Sequence, residues 1–95
     1  MNNKSANLYS LQQKFDKARQ AYDLNIHSSN ISEDQRASSM FFHAYTYMQE
    51  GRYEEARPLF QALIDRYGEN PPARVRDSVN GARTQLEKIE KYLNH

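Results

Sequence analysis

From Leu8 to Leu93 the apolar residues of this chain recur three and four positions apart, and nowhere do they alternate with polar ones over a strand's length. A period near 3.6 belongs to a helix that buries one face; a period of two belongs to a half-buried strand. The pattern therefore restricts the chain to an all-α fold. Glycine and proline occur three times each, and their positions cut the pattern into segments. Four antiparallel helices joined by short polar turns are expected.

The first segment, from about Ser5 to Ile26, carries a stripe of Leu8, Leu11, Phe15, Ala18 and Tyr22, with Tyr9 and Leu24 outside it. His27-Ser28-Ser29-Asn30 reads as a loop. Ser32-Glu33-Asp34-Gln35 has the form of a capping box, in which the Ser hydroxyl accepts a free amide and the Gln reaches back. The second helix then presents Ala37, Met40, Phe41, Ala44, Tyr45 and Met48, and Gly51 is placed to end it. Tyr53 to Tyr67 forms a third helix with Ala56, Leu59, Phe60, Leu63, Ile64 and Tyr67 on one side, Pro58 near its first turn and Gly68 as its stop. Asn70-Pro71-Pro72 is expected to open the last helix (71–94), with Asn70 as cap and proline in the first turn. Along that helix Val75, Val79, Ala82, Leu86, Ile89 and Leu93 make a narrow seam of coiled-coil spacing. Gly81 interrupts it at a cost of about 1 kcal/mol relative to alanine, which implies that something approaches closely there.

Ninety-five residues make one domain, and a chain of that size buries a modest share of its surface. The hydrophobic fraction is 38% and includes seven tyrosines, so the core is lean. Twelve acids against thirteen basic residues leave a net charge of +1 with no block of one sign, unlike a dedicated nucleic-acid binder. Arg74, Arg76, Arg83, Lys88 and Lys91 point several ways around the last helix and lie among Glu87 and Glu90, as on a solvated face. With no cysteine there is no disulfide, thiolate metal site or thiol nucleophile. Residues 1–14 lack the unbroken apolar run of a signal peptide or membrane helix, so a cytoplasmic protein without a membrane partner is expected. His27, His43 and His95 show no metal-ligand spacing, there is no glycine-rich phosphate loop, and the serines have no base in a recognisable motif. No enzyme activity, cofactor or metal is expected.

The chain also repeats itself. Phe15-Asp16-Lys17-Ala18-Arg19 aligns with Tyr53-Glu54-Glu55-Ala56-Arg57, after which Tyr22 meets Phe60 and Ile26 meets Ile64. Residues 37–71, with Gly51-Arg52-Tyr53-Glu54-Glu55-Ala56 followed by Phe60 and Leu63, resemble a tetratricopeptide repeat, a helix–turn–helix unit of about 34 residues. The resemblance implies a tight turn at Gly51, small helix-contact residues at Ala44 and Ala56, and packing aromatics at Tyr47, Tyr53 and Phe60. Residues 11–26 would be a half repeat. Met40, His43 and Gly68 depart from the family's habit. Gly51 to Ile64 is also similar to the first repeat of bacterial type III secretion chaperones.

What the resemblance implies about function is protein binding. In the family the first helix of a repeat lines a concave groove, so Phe41, Tyr45 and Met48 would face it, with Phe42 an exposed contact. The alternative is that these residues are ordinary core. Phe41 and Phe42 stand where relatives that grip a C-terminal carboxylate carry lysine and asparagine, which argues against that activity. The seam Val75, Val79, Ala82, Leu86, Ile89 and Leu93 would either cap the repeat or pair with a helix of a partner or of a second copy. The resulting expectation is an adaptor or secretion-type chaperone that holds a client helix or extended segment, with a homodimer pairing through the last helix as the alternative.

Overall fold

The computed structural model describes residues 3–94, with side chains from residue 11 onward. The side chains of Leu8 and Tyr9, and His95 as a whole, lie outside the described residues. Four helices follow one another: α1 (Asn3–Ile26), α2 (Glu33–Gln49), α3 (Tyr53–Tyr67) and α4 (Ala73–Leu93). No strand occurs among the described residues.

Local chemistry sets most of the boundaries. Ser32 Oγ accepts from the Gln35 amide at 3.4 Å while the Gln35 side chain accepts from the Ser32 amide at 3.2 Å, closing the capping box at the start of α2. At the other end Gly51 has φ +76°, a left-handed conformation that glycine enters without a Cβ penalty. Its amide reaches Met48 O at 3.0 Å and the Arg52 amide reaches Tyr47 O at 2.8 Å, the paired bonds of a Schellman stop.

Two details depart from expectation. Pro58 lies in the second turn of α3 rather than the first, and faces solvent, where water can satisfy the Glu54 carbonyl that it leaves without an amide. The last helix begins at Ala73 with Pro72, not Asn70, at its cap and no side-chain capping bond. A residue before proline is driven out of the helical region, and here that holds for Asn70 and Pro71 in succession.

α1 packs on α2 alone, whereas α4 lies against both α2 and α3. Successive helices alternate in direction, so α2 and α4 run parallel. The Cα trace spans 53 × 39 × 16 Å, a slab rather than a ball. Its core is drawn from three helices: Ala37 and Ala44 of α2, Ala56, Phe60 and Leu63 of α3, and Val75, Val79, Ala82 and Ile89 of α4 are buried. Ala44 and Ala56 are fully buried, as two small residues at a helix crossing should be. The C-terminal seam faces inward throughout, because Leu86 and Leu93 also pack on that core. As folded, α4 covers the repeat with this seam. Leu11, at the end of the described α1 stripe, is 49% exposed because α1 outruns α2 there, and Leu24 stands in solvent at 74%.

Candidate functional site

The four aromatic and methionine residues singled out on α2 part company in space. Phe41 turns inward, 5.6 Å from the Phe60 ring and 5.9 Å from that of Tyr45, on which it stacks. It also explains Gly81: a Cβ at that position would lie 2.9 Å from Phe41 Cε2, closer than atoms can sit. Met48 is half-buried against the core. Phe42, one residue round the helix, is 48% exposed, with its ring edge-on to Phe41 at 5.4 Å and stacked at 6.3 Å on Tyr22 of α1. Tyr45, like Phe41 and Met48, is half-buried and packs on the core. Phe42 is thus the one of the four that is exposed.

Phe42 belongs to a groove. Phe41 meets Gly81, and the charge of Arg74 helps to hold the Asp34 carboxyl below its usual range, after hydrogen bonds from Ser32 and from backbone amides. Both pairings join residues 40 apart in sequence, as two parallel helices in register require. Helical spacing then sets Gln35, Ser38, Phe42, Tyr45 and Gln49 of α2 beside Arg74, Ser78, Gly81, Gln85 and Lys88 of α4, on the side away from α3. Beside the first turns of α2, next to the end of α1, lies a cleft of about 310 Å³ lined by Asn25, Ile31, Asp34, Gln35, Ser38 and Ser39.

The α1–α2 contact rests on a group that periodicity does not reveal. Among the described side chains of α1, Arg19 is the one that is buried. Its guanidinium pairs with Glu50, donates to Thr46 Oγ1 at 3.3 Å and to Asp16 Oδ1 at 3.0 Å, and lies 4.4 Å from the centre of the Tyr47 ring. Those carboxylates raise its pKa against the opposing effect of burial. The available signal was positional: Arg19 sits four residues after Phe15 and three before Tyr22, in the middle of the stripe. It is also the repeat counterpart of Arg57, which pairs with Glu90 of α4 at 3.2 Å. Arg36 secures the connection by donating to the carbonyls of Ile26 and Ser28, the latter at 2.8 Å.

On the opposite side a cavity of about 130 Å³ lies among Ile26, Met40, His43, Leu59 and Ala62, with Asp23 and His27 also in its lining. Burial holds the His43 imidazole below its ordinary pKa, opposed by the charge of Asp23. Tyr67 donates to Glu33 Oε2 at 2.7 Å, which lowers the pKa of the carboxyl; burial first, then this bond, raises that of the phenol. Among the described residues no group of three or more His, Cys, Asp or Glu is placed to hold a metal ion. No described helix is long and apolar enough to cross a membrane.

Residues 37–70 match the tetratricopeptide repeat. The match covers the helical hairpin of α2 and α3 and its two turns, about a third of the chain. No curated protein and no solved structure matches the chain. The four-helix array is therefore tetratricopeptide-like, with one repeat recognisable by sequence, and such repeats are non-catalytic units that mediate contacts between proteins. The narrower likeness to type III secretion chaperones finds no support.

Proposed function

We propose that this chain is a protein-binding adaptor that holds a segment of another protein along the groove between α2 and α4. Phe42 carries the reading. It is a large aromatic left 48% exposed midway along the first helix of the recognised repeat, braced from two sides by Phe41 and Tyr22. A braced aromatic loses little side-chain entropy when a partner covers it, which is why such residues dominate binding hot spots. The homodimer alternative is less well supported, because the seam it needs is already buried against α2 and α3.

The test begins with the partner recovered by affinity purification from the source cells. Phe42→Ala should weaken its binding by about 1–3 kcal/mol while the chain stays folded, with a smaller loss of stability from its contacts with Tyr22 and Phe41. Equal affinity of mutant and parent for that partner would remove Phe42 from the interface and the proposal with it.

A further inference from the structure

On the side of α2 away from the groove, we infer a binding site for a small uncharged aromatic molecule that carries a hydroxyl group. It is independent of the adaptor reading, because it uses neither Phe42 nor α4. The site is the cavity of about 130 Å³ between α1 and α3. Those two helices each pack on α2 and not on each other, which leaves a gap over α2. Met40 and His43 of α2, Ile26 of α1, and Leu59 and Ala62 of α3 line it, with Asp23 and His27 on the α1 side.

Size and lining select the occupant. An apolar cavity of about 150 Å³ stays dry and accepts benzene, so one six-membered ring matches the volume here. The exposed members of the lining are Asp23, His27 and Ala62. They give a protein partner no apolar ring of contacts to close around a single inserted side chain, so the match is to a free molecule. His43 supplies the polar contact. Its ring lies 5.9 Å from that of Tyr47 and joins no side-chain hydrogen bond among the described residues. No fully buried side-chain nitrogen there goes unpaired, so the His43 nitrogens reach open space, and the space that His43 lines is this cavity. Burial holds the imidazole below its ordinary pKa; the charge of Asp23 opposes that and the charge of Arg19 adds to it. The other titratable group in the lining is His27, whose ring lies 3.4 Å from the Asp23 carboxylate, and α3 presents only Leu59 and Ala62. A neutral imidazole has a lone pair that accepts from a hydroxyl. An anion would meet Asp23 and find no lysine or arginine in the lining, and a cation would exchange water for apolar walls.

The probe is phenol, titrated into the full chain near neutral pH and followed by NMR of the Met40 methyl and His43 ring signals. Toluene, the same shape without the hydroxyl, is titrated alongside. Phenol should bind with a Kd on the order of 1 mM, the range open to so small a ligand. His43→Leu, a change of similar volume, should weaken phenol about tenfold and leave toluene nearly as before. Ala62→Phe, at an exposed position of the lining, should abolish both while circular dichroism shows the chain still folded. Absence of phenol binding at about ten times that Kd overturns the inference. So does binding that Ala62→Phe leaves intact, or a His43→Leu chain in which phenol loses no more affinity than toluene. Loss of a protein partner on Ala62→Phe, in a chain that takes no phenol, would make the cavity a socket for a partner's side chain and overturn it too. None of these results bears on the groove, which Phe42→Ala decides.

Discussion

Arg19 and Glu50 close the contact between α1 and the rest of the molecule, and their side chains are each only 9% exposed. A buried ion pair is a poor source of net stability, because desolvation offsets most of the attraction, but removing one member leaves the other stranded. Glu50→Ala should therefore cost about 3 kcal/mol in urea melts, while the double change Arg19→Met with Glu50→Leu should recover most of that loss. A single mutant as stable as the parent would mean that α1 is held by its aromatic contacts alone. His43 makes a second residue-scale prediction. The folded chain binds its proton less readily than the unfolded chain does, so below the ordinary histidine pKa of 6.5 the unfolded state holds more protons. Stability should rise with pH through the region just under that value and level off above it. His43→Gln should flatten that rise, and melts across pH 5 to 8 in about half-unit steps would check it.

At the scale of the helix, what could be read from the sequence was whatever neighbouring residues decide among themselves. The capping box at Ser32, the Gly51 stop, the apolar periods of α2, α3 and α4 and the close approach at Gly81 are all contained in the fold. Asn70 has the chemistry of a cap, yet α4 starts at Ala73 because the second proline drives Pro71, the residue before it, out of the helical region. The Arg19 cluster was hidden for a different reason. Periodicity ranks residues by hydropathy, so a cation inside an apolar stripe looks like a gap until its partner, 31 positions later, is known. The candidate site was half legible. Helical spacing separated Phe42 from Phe41, but only packing showed that Phe41 is committed to Phe60 and Gly81. That contact predicts the outcome of Gly81→Ala. Alanine gains about 1 kcal/mol of helix propensity. Displacing a ring held by Phe60, Tyr45 and Phe42 costs about 1–3 kcal/mol. The net should be a loss of about 1 kcal/mol by denaturant melt, and Phe41→Leu in the same chain should relieve it.

For the whole molecule the question is what an array with one recognisable repeat does with its ends. Stacked helical repeats leave an apolar face wherever stacking stops, and polar outer faces are what keep such ends soluble. The described part of α1 turns Gln13, Lys17 and Gln20 outward, with Leu24 a lone apolar residue among them. α4 turns Arg76, Asp77, Asn80, Thr84, Glu87 and Lys91 outward while its seam is buried. Single exposed leucines are ordinary on protein surfaces, and a stable interface needs roughly 800 Å² from each partner. Among the described residues, neither outer face offers an apolar patch approaching that area. The lean core that would have made a second copy attractive is closed by α4, and among the described residues the exposed aromatics are Phe42 on α2 and Tyr92, which lies against Tyr53 near the end of α4. Light scattering at micromolar concentration should accordingly give the mass of one 11.2 kDa chain. Leu86→Asp, which puts a carboxylate against the covered core, should lower stability without changing the mass of the folded fraction. A dimer in the parent that Leu86→Asp converts to a folded monomer would mean that α4 leaves its place to pair, and the homodimer reading would then replace the adaptor.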